Sequence, residues 1–121
     1  MLQFVSLTIP TLNEEKYLDQ TISSLLSNDY PGNKLEILII DGLSTDNTLA
    51  IAKEFASKFT NIRLISNPKI YQSAALNIGI KESKGDFIIR ADAHAIYDKN
   101  YIISTIHLLQ KSVYENVGPV Q

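Results

Sequence analysis

The sequence predicts an α/β domain, a mostly parallel sheet with helices on both faces. Short aliphatic runs alternate with amphipathic helical segments along the whole chain. The runs are nearly continuous in apolar residues, as strands covered on both faces require. Three strand ends carry polar side chains: Pro10-Thr11-Leu12-Asn13-Glu14, Asp41-Gly42-Leu43-Ser44-Thr45-Asp46 and Asp92-Ala93-His94. In a parallel sheet such ends share one rim, the rim where ligands bind in open α/β folds.

The elements follow in order. Phe4 to Ile9 is rich in β-formers and stops at Pro10, which cannot continue a central ladder. Asn13 is suited to cap the next helix, with Glu14 and Glu15 at its positive end. Leu18, Ile22, Leu25 and Leu26 form the apolar stripe of that helix, and Pro31-Gly32 breaks it. Leu35 to Ile40 is a second strand ending at Asp41-Gly42. Ser44 or Thr45 can cap a helix that buries Thr48, Ala52, Phe55 and Phe59. Asn61 to Ile65 is a third strand, closed by Asn67-Pro68. Gln72 to Ser83 reads as a helix whose Ala75, Ile78 and Gly79 can pack closely on a sheet. Gly85-Asp86 turns into a buried strand, Phe87-Ile88-Ile89, with Asp86 in a structural role. In a last helix Ile102, Ile106, Leu109 and Val113 recur at helical spacing, and His107 sits half-buried among apolar neighbours. Another strand is expected to start near Val117.

At 121 residues the chain, 1–121, reads as a single domain. A net charge of -2, with scattered Lys and Arg, argues against a nucleic-acid partner. The absence of cysteine excludes disulfides and thiolate metal sites, and fits a cytoplasmic protein. No segment reaches the roughly 20 apolar residues of a membrane span. The strand beginning near Val117 suggests a fragment of a longer protein, with a truncated sheet edge near Val120 able to pair with a second copy.

Asp92 and His94, two apart at a strand end, project the same way if the backbone stays extended. Neither G-x-G-x-x-G nor a Walker lysine is present, so the rim offers carboxylates, which meet a phosphate only across a cation. A carboxylate–imidazole pair suits Mn²⁺ better than Mg²⁺, which prefers oxygen ligands. The alternative for His94 is a strand-end histidine bonded to a phosphate or to the protein.

Pro10-Thr11-Leu12-Asn13-Glu14-Glu15, Ile39-Ile40-Asp41-Gly42-Leu43-Ser44-Thr45-Asp46-Asn47-Thr48, Asn77-Ile78-Gly79 and Gly85-Asp86-Phe87-Ile88-Ile89-Arg90-Ala91-Asp92 resemble, in order and spacing, the family 2 glycosyltransferases of GT-A fold. The resemblance implies the N-terminal donor-binding portion of a longer glycosyltransferase. Such an enzyme moves a sugar from a nucleotide-sugar donor, commonly a UDP-sugar, to a saccharide or lipid-linked acceptor, with a divalent cation on the diphosphate. It would act in the cytoplasm, at the inner face of a membrane through parts outside this chain.

By the same resemblance Pro10, Thr11, Asn13 and Glu14 line the nucleoside pocket, and Asp41 contacts the base, where an N–H donor meets a carboxylate acceptor. Asp92 binds the cation, the ribose or both, His94 replaces the motif's final acid as a second metal ligand, and Asn77 reaches the donor. Capping explains Asn13 and Glu14 almost as well, and helix packing explains Asn77. Asp46 and Thr48 read as structural. Leu12 stands where the family often has an aromatic residue, and Leu76 where it often has arginine, so a cationic contact from that position is lost. The catalytic base of inverting members lies beyond residue 121. A sugar nucleotidyltransferase is the enzymatic alternative, but it usually has a glycine-rich basic loop after the first strand. A phosphoacceptor domain would carry its acids after the first and third strands rather than the second and fourth. A non-catalytic nucleotide-binding module of the same fold is the third reading.

Overall fold

The computed structural model describes residues 2–117. Four strands, β1 (Val5–Thr11), β2 (Leu35–Asp41), β3 (Ile62–Ser66) and β4 (Phe87–Arg90), form one parallel sheet in the order β3-β2-β1-β4. Helices α1 (Leu18–Leu26), α2 (Thr48–Lys58), α3 (Gln72–Glu82) and α4 (Tyr101–Val117) connect or follow them. The chain leaves β1 first toward β2 and later returns to pair β4 on its other side. The strand order therefore reverses at β1, which places a ligand crevice above that point.

Alternation along the strands splits the core. Val5, Leu7, Ile9, Ile37, Ile39 and Ile89 point to the face covered by α1, α2 and α4. Leu38 and Ile40 point to α3, meeting Ala75 and Ile78. A Cβ on Gly79 would lie 2.9 Å from Thr8 Cγ2, so glycine is what allows α3 this close to β1. At the amino ends of the strands, Glu36 is buried and accepts from Ser6 Oγ (2.6 Å) and Lys84 N (2.8 Å). That network ties β1 and β2 to the turn entering β4, and Asp86 Oδ2 adds a bond from Phe4 N (3.1 Å), in the structural role expected of it.

Several local expectations are corrected. Helix α1 begins at Leu18, four residues later than an Asn13 cap implies, because Asn13 adopts φ 54° and turns its side chain across to another loop. Ser44 and Thr45 do not cap α2 either; Asn47 precedes its first residue. Phe59 ends up exposed beyond the last turn, and His107 is exposed rather than half-buried. Among the described residues β4 pairs with β1 alone, and Ile89 is buried while Ile88 and Arg90 are exposed, so its apolar run is not covered on both faces. Val117 belongs to α4, and the strand expected near it, with the edge near Val120, otherwise lies outside the described residues, as does the side chain of Val113.

Candidate functional site: the rim above β1

The parallel register sets Thr11, Asp41 and Ser66 level with one another, so the three following loops meet. Asp41, 3 % exposed, is their anchor. Its Oδ1 accepts from Thr11 Oγ1 (2.7 Å) and Ser44 Oγ (2.7 Å), and its Oδ2 from Ser44 N (3.0 Å). The Ser44 hydroxyl in turn accepts from Asn13 N (2.9 Å). Asn13 Oδ1 accepts from Thr45 N (2.8 Å) and Asp46 N (3.3 Å), and Glu14 N donates to Thr48 Oγ1 (2.7 Å). The polar residues expected to cap separate helices thus bond the two loops to each other. Asp46 accepts from Thr48 N, Thr48 Oγ1 and Glu15 N. Burial raises the pKa of its carboxyl, but these bonds outweigh that and hold it below the usual value. Asp46 and Thr48 are structural here, as read from the sequence.

The loop after β3 closes over this knot. Asn67 N donates to the Asp41 carbonyl (2.7 Å), and a Cβ on Gly42 would stand 3.0 Å from the Ile70 carbonyl oxygen. Ile70 itself has φ 74°, a strained value for a β-branched residue. Between this loop and β1 lies a cavity of about 360 Å³, walled by Pro10, Thr11, Glu14, Asn67, Lys69 and Tyr71 among others. Asn67 is 1 % exposed; its Nδ2 donates to the Tyr71 carbonyl (3.1 Å), while its Oδ1 has no partner. An amide oxygen buried without a donor leaves one hydrogen-bonding position unmet inside the loop. From the sequence Asn67 reads only as a turn residue; its place on the same rim as Asp41 is the signal that could have found it.

The structure does not bring every expected residue together. Pro10, Thr11 and Glu14 line the cavity, whereas Asp41 stands behind Thr11 and opens on a separate hollow with Leu43, Ser44 and Ser66. Asn13 is spent on Thr45 and Asp46. Asn77 is exposed and faces another hollow, beyond Lys69 and Tyr71.

At the end of β4, Ala91 and Ala93 are buried and Asp92 and His94 exposed, but residues 93 and 94 form a turn, so the extended backbone expected between Asp92 and His94 is not kept. Helix α1 holds this loop: Thr21 Oγ1 reaches the carbonyls of Ala93 (3.0 Å) and Ala95 (2.7 Å), Ser24 Oγ accepts from Tyr97 N (3.0 Å), and Asn28 Nδ2 donates to the Asp98 carbonyl (2.9 Å). Asp92 N donates to the Tyr97 hydroxyl (2.7 Å). Sequence reasoning misses these positioning residues, because a polar residue on a helix face signals nothing until its partner loop is known.

Asp92 Oδ1 lies 3.8 Å from Arg90 Nη2, and His94 Nδ1 lies 3.5 Å from Glu14 Oε1. Among the described residues no three His, Asp or Glu side chains converge as a metal site. The donor set fits a cation that takes its remaining ligands from a phosphate and water, the usual arrangement where one or two carboxylates meet a substrate phosphate.

The model of the family described as "Glycosyl transferase family 2" matches residues 6–120. The dolichyl N-acetyl-alpha-D-glucosaminyl phosphate 3-beta-D-2,3-diacetamido-2,3-dideoxy-beta-D-glucuronosyltransferase of Methanococcus voltae is 42% identical over 112 residues, covering 91% of this chain and 35% of that protein. The crystal structure of Staphylococcus aureus TarS 1–349 superposes with a TM-score of 0.77 at 25% identity, over 88% of this chain and 32% of that piece. The mannosyltransferase PcManGT of Pyrobaculum calidifontis, in complex with GDP-Man and Mn²⁺, gives 0.74 at 25% identity, over 80% of this chain and 29% of that one. The chain spans about a third of the length of these relatives. With its parallel sheet between helices and the rim acids in register, it belongs to glycosyl transferase family 2, on the GT-A fold.

Proposed function

We propose that the protein containing this chain transfers a sugar from a UDP-sugar to a hydroxyl of a saccharide or lipid-linked acceptor, and that these residues form its donor site. The observation that carries this reading is the cavity above the β1 reversal, walled by Pro10, Thr11, Glu14, Lys69 and Tyr71, with Asp92 at the neighbouring strand end. TarS has also been crystallised with UDP and with UDP-GlcNAc, which supports a nucleotide-sugar ligand for the shared fold.

Pro10, Thr11 and Glu14 wall the nucleoside pocket, with Asn67 buried behind it. Asp41 holds Thr11 and, through its carbonyl, the 67–71 loop in place behind the pocket. Asn13 ties the pocket loops together, and Asn77 meets the donor from the flank of α3. Asp92 and His94 hold the divalent cation, Mn²⁺ in preference to Mg²⁺. When bound, that cation offsets the charge growing on the leaving phosphate oxygen. The acceptor oxygen bonds to the anomeric carbon, the bond from that carbon to the β-phosphate oxygen breaks, and the nucleoside diphosphate leaves. The base that takes the acceptor's proton is assigned to a part of the enzyme beyond these residues.

Thermal unfolding with UDP, GDP, CDP or ATP, each with Mn²⁺, Mg²⁺ or EDTA, tests the reading. A ligand at 100 times its Kd stabilises by about 2.7 kcal/mol. UDP with Mn²⁺ is expected to give the largest shift, reduced by Asp92→Asn and by His94→Ala. Stabilisation by none of the nucleotides would count against a donor site, and an unchanged Mn²⁺ titration in His94→Ala would remove that ligand.

A further inference from the structure

We infer that Arg90 is the cationic contact to the donor's phosphates, occupying from β4 the role that Leu76 cannot fill from α3. The inference rests on the donor-site reading above. Strand alternation buries Ile89 and turns Arg90 to the opposite face, toward α3. There Arg90 lines a hollow of about 220 Å³ together with Thr8, Pro10, Gln72 and Leu76. Pro10, Gln72 and Ala75 border both this hollow and the 360 Å³ cavity, so the two are adjacent, and Arg90 lies on the hollow next to the proposed nucleoside pocket.

The guanidinium is aimed but hardly used. Its Nη2 donates to Gln72 Oε1 (3.0 Å) and stands 3.8 Å from Asp92 Oδ1. Nη1 and Nε have no hydrogen-bond partner among the described residues, and the side chain is 48% exposed. A guanidinium carries five N–H donors in a planar fork that matches a phosphate. Asp92 stands beside it, and a diphosphate brought up to that carboxylate meets like charge. A fixed cation 3.8 Å from the carboxylate offsets that repulsion whether or not a metal ion is bound. Leu76, exposed on the same hollow, supplies no charge.

The alternative is that Arg90 only braces Gln72 and Asp92. Calorimetric binding of UDP and of uridine, in EDTA and in Mn²⁺, separates the two. In Arg90→Gln, UDP affinity is expected to fall about tenfold or more, as loss of a charge-assisted bond implies. Uridine affinity and the melting temperature stay unchanged. Arg90→Lys falls between, and adding Leu76→Arg to Arg90→Gln restores part of the UDP affinity. Equal losses for UDP and uridine, or no loss for either, would overturn the role of Arg90 while leaving the pocket intact. If the unsubstituted chain binds neither compound, the donor-site reading fails, and this inference fails with it.

Discussion

The two halves of the rim are built differently. Around Asp41, the loops after β1, β2 and β3 are bonded to one another through buried or half-buried groups, and both oxygens of the anchor carboxylate are engaged. Around Asp92, the loop after β4 is pinned by α1 from below, while the chemical groups themselves stand in solvent. In the first half the anchor carboxylate has its bonds within the protein. The second presents charged side chains whose remaining partners must come from outside. A pocket that selects a base gains from rigidity, whereas groups that handle a cation and a leaving phosphate must exchange water for ligand.

Substitutions can break this contrast. Asp41→Ala strands the hydroxyls of Thr11 and Ser44 and the Ser44 N–H, and is expected to cost about 3 kcal/mol in urea unfolding. A loss below about 1 kcal/mol would show that the knot is not what holds the loops. Asp92→Ala should do the reverse: stability within about 0.5 kcal/mol of the parent, as for an exposed side chain, with the metal-dependent part of UDP stabilisation gone. Matching losses of stability in both variants would erase the distinction.

Thr21→Val sharpens the comparison, since it removes only the brace beneath the β4 loop. It should cost about 1 kcal/mol and weaken metal-dependent binding without touching uridine binding. Unaltered Mn²⁺ affinity would mean that α1 does not position Asp92 and His94.

The smallest effect concerns pH. Tyr97 and Tyr101, rings 4.3 Å apart under this loop, have hydroxyls pushed above the usual value of 10.0, first by burial, then by Tyr101 and Asp92 for Tyr97 and by Asp92 for Tyr101. The folded state keeps its protons longer than the unfolded chain. The stabilisation is therefore present below about pH 10 and is lost as pH rises toward the folded values. Replacing both by Phe should flatten the alkaline limb of a stability–pH profile. A limb that keeps its slope in the double variant would mean that these two hydroxyls do not produce it.

Much of this architecture is legible in the sequence. The stripe Leu18, Ile22, Leu25 packs as its spacing requires, and Asp41 ends β2 while Asp92 follows β4 by two residues, although Asp41 is buried on a hollow that Asp92 does not line. The residues that mislead are mostly polar ones near element ends. Asn13 reads as a cap because Asn caps helices, but its acceptor oxygen finds N–H groups 32 and 33 residues away. β4 reads as doubly covered because its apolar run looks like that of β2, yet Ile88 is exposed while Ile89 is buried, so one face is open among the described residues.

The sequence by itself determined the order of elements, which faces are apolar and the family to which the chain belongs, because periodicity and motif spacing are carried by neighbouring residues. Only the tertiary structure decided that Asn67 backs the cavity, that Arg90 turns toward α3, that Glu14 meets His94 and that Asp41 sits behind Thr11. The reason is register. A shift of one residue between paired strands would turn every strand-end side chain to the other face, and no local pattern records which pairing is adopted.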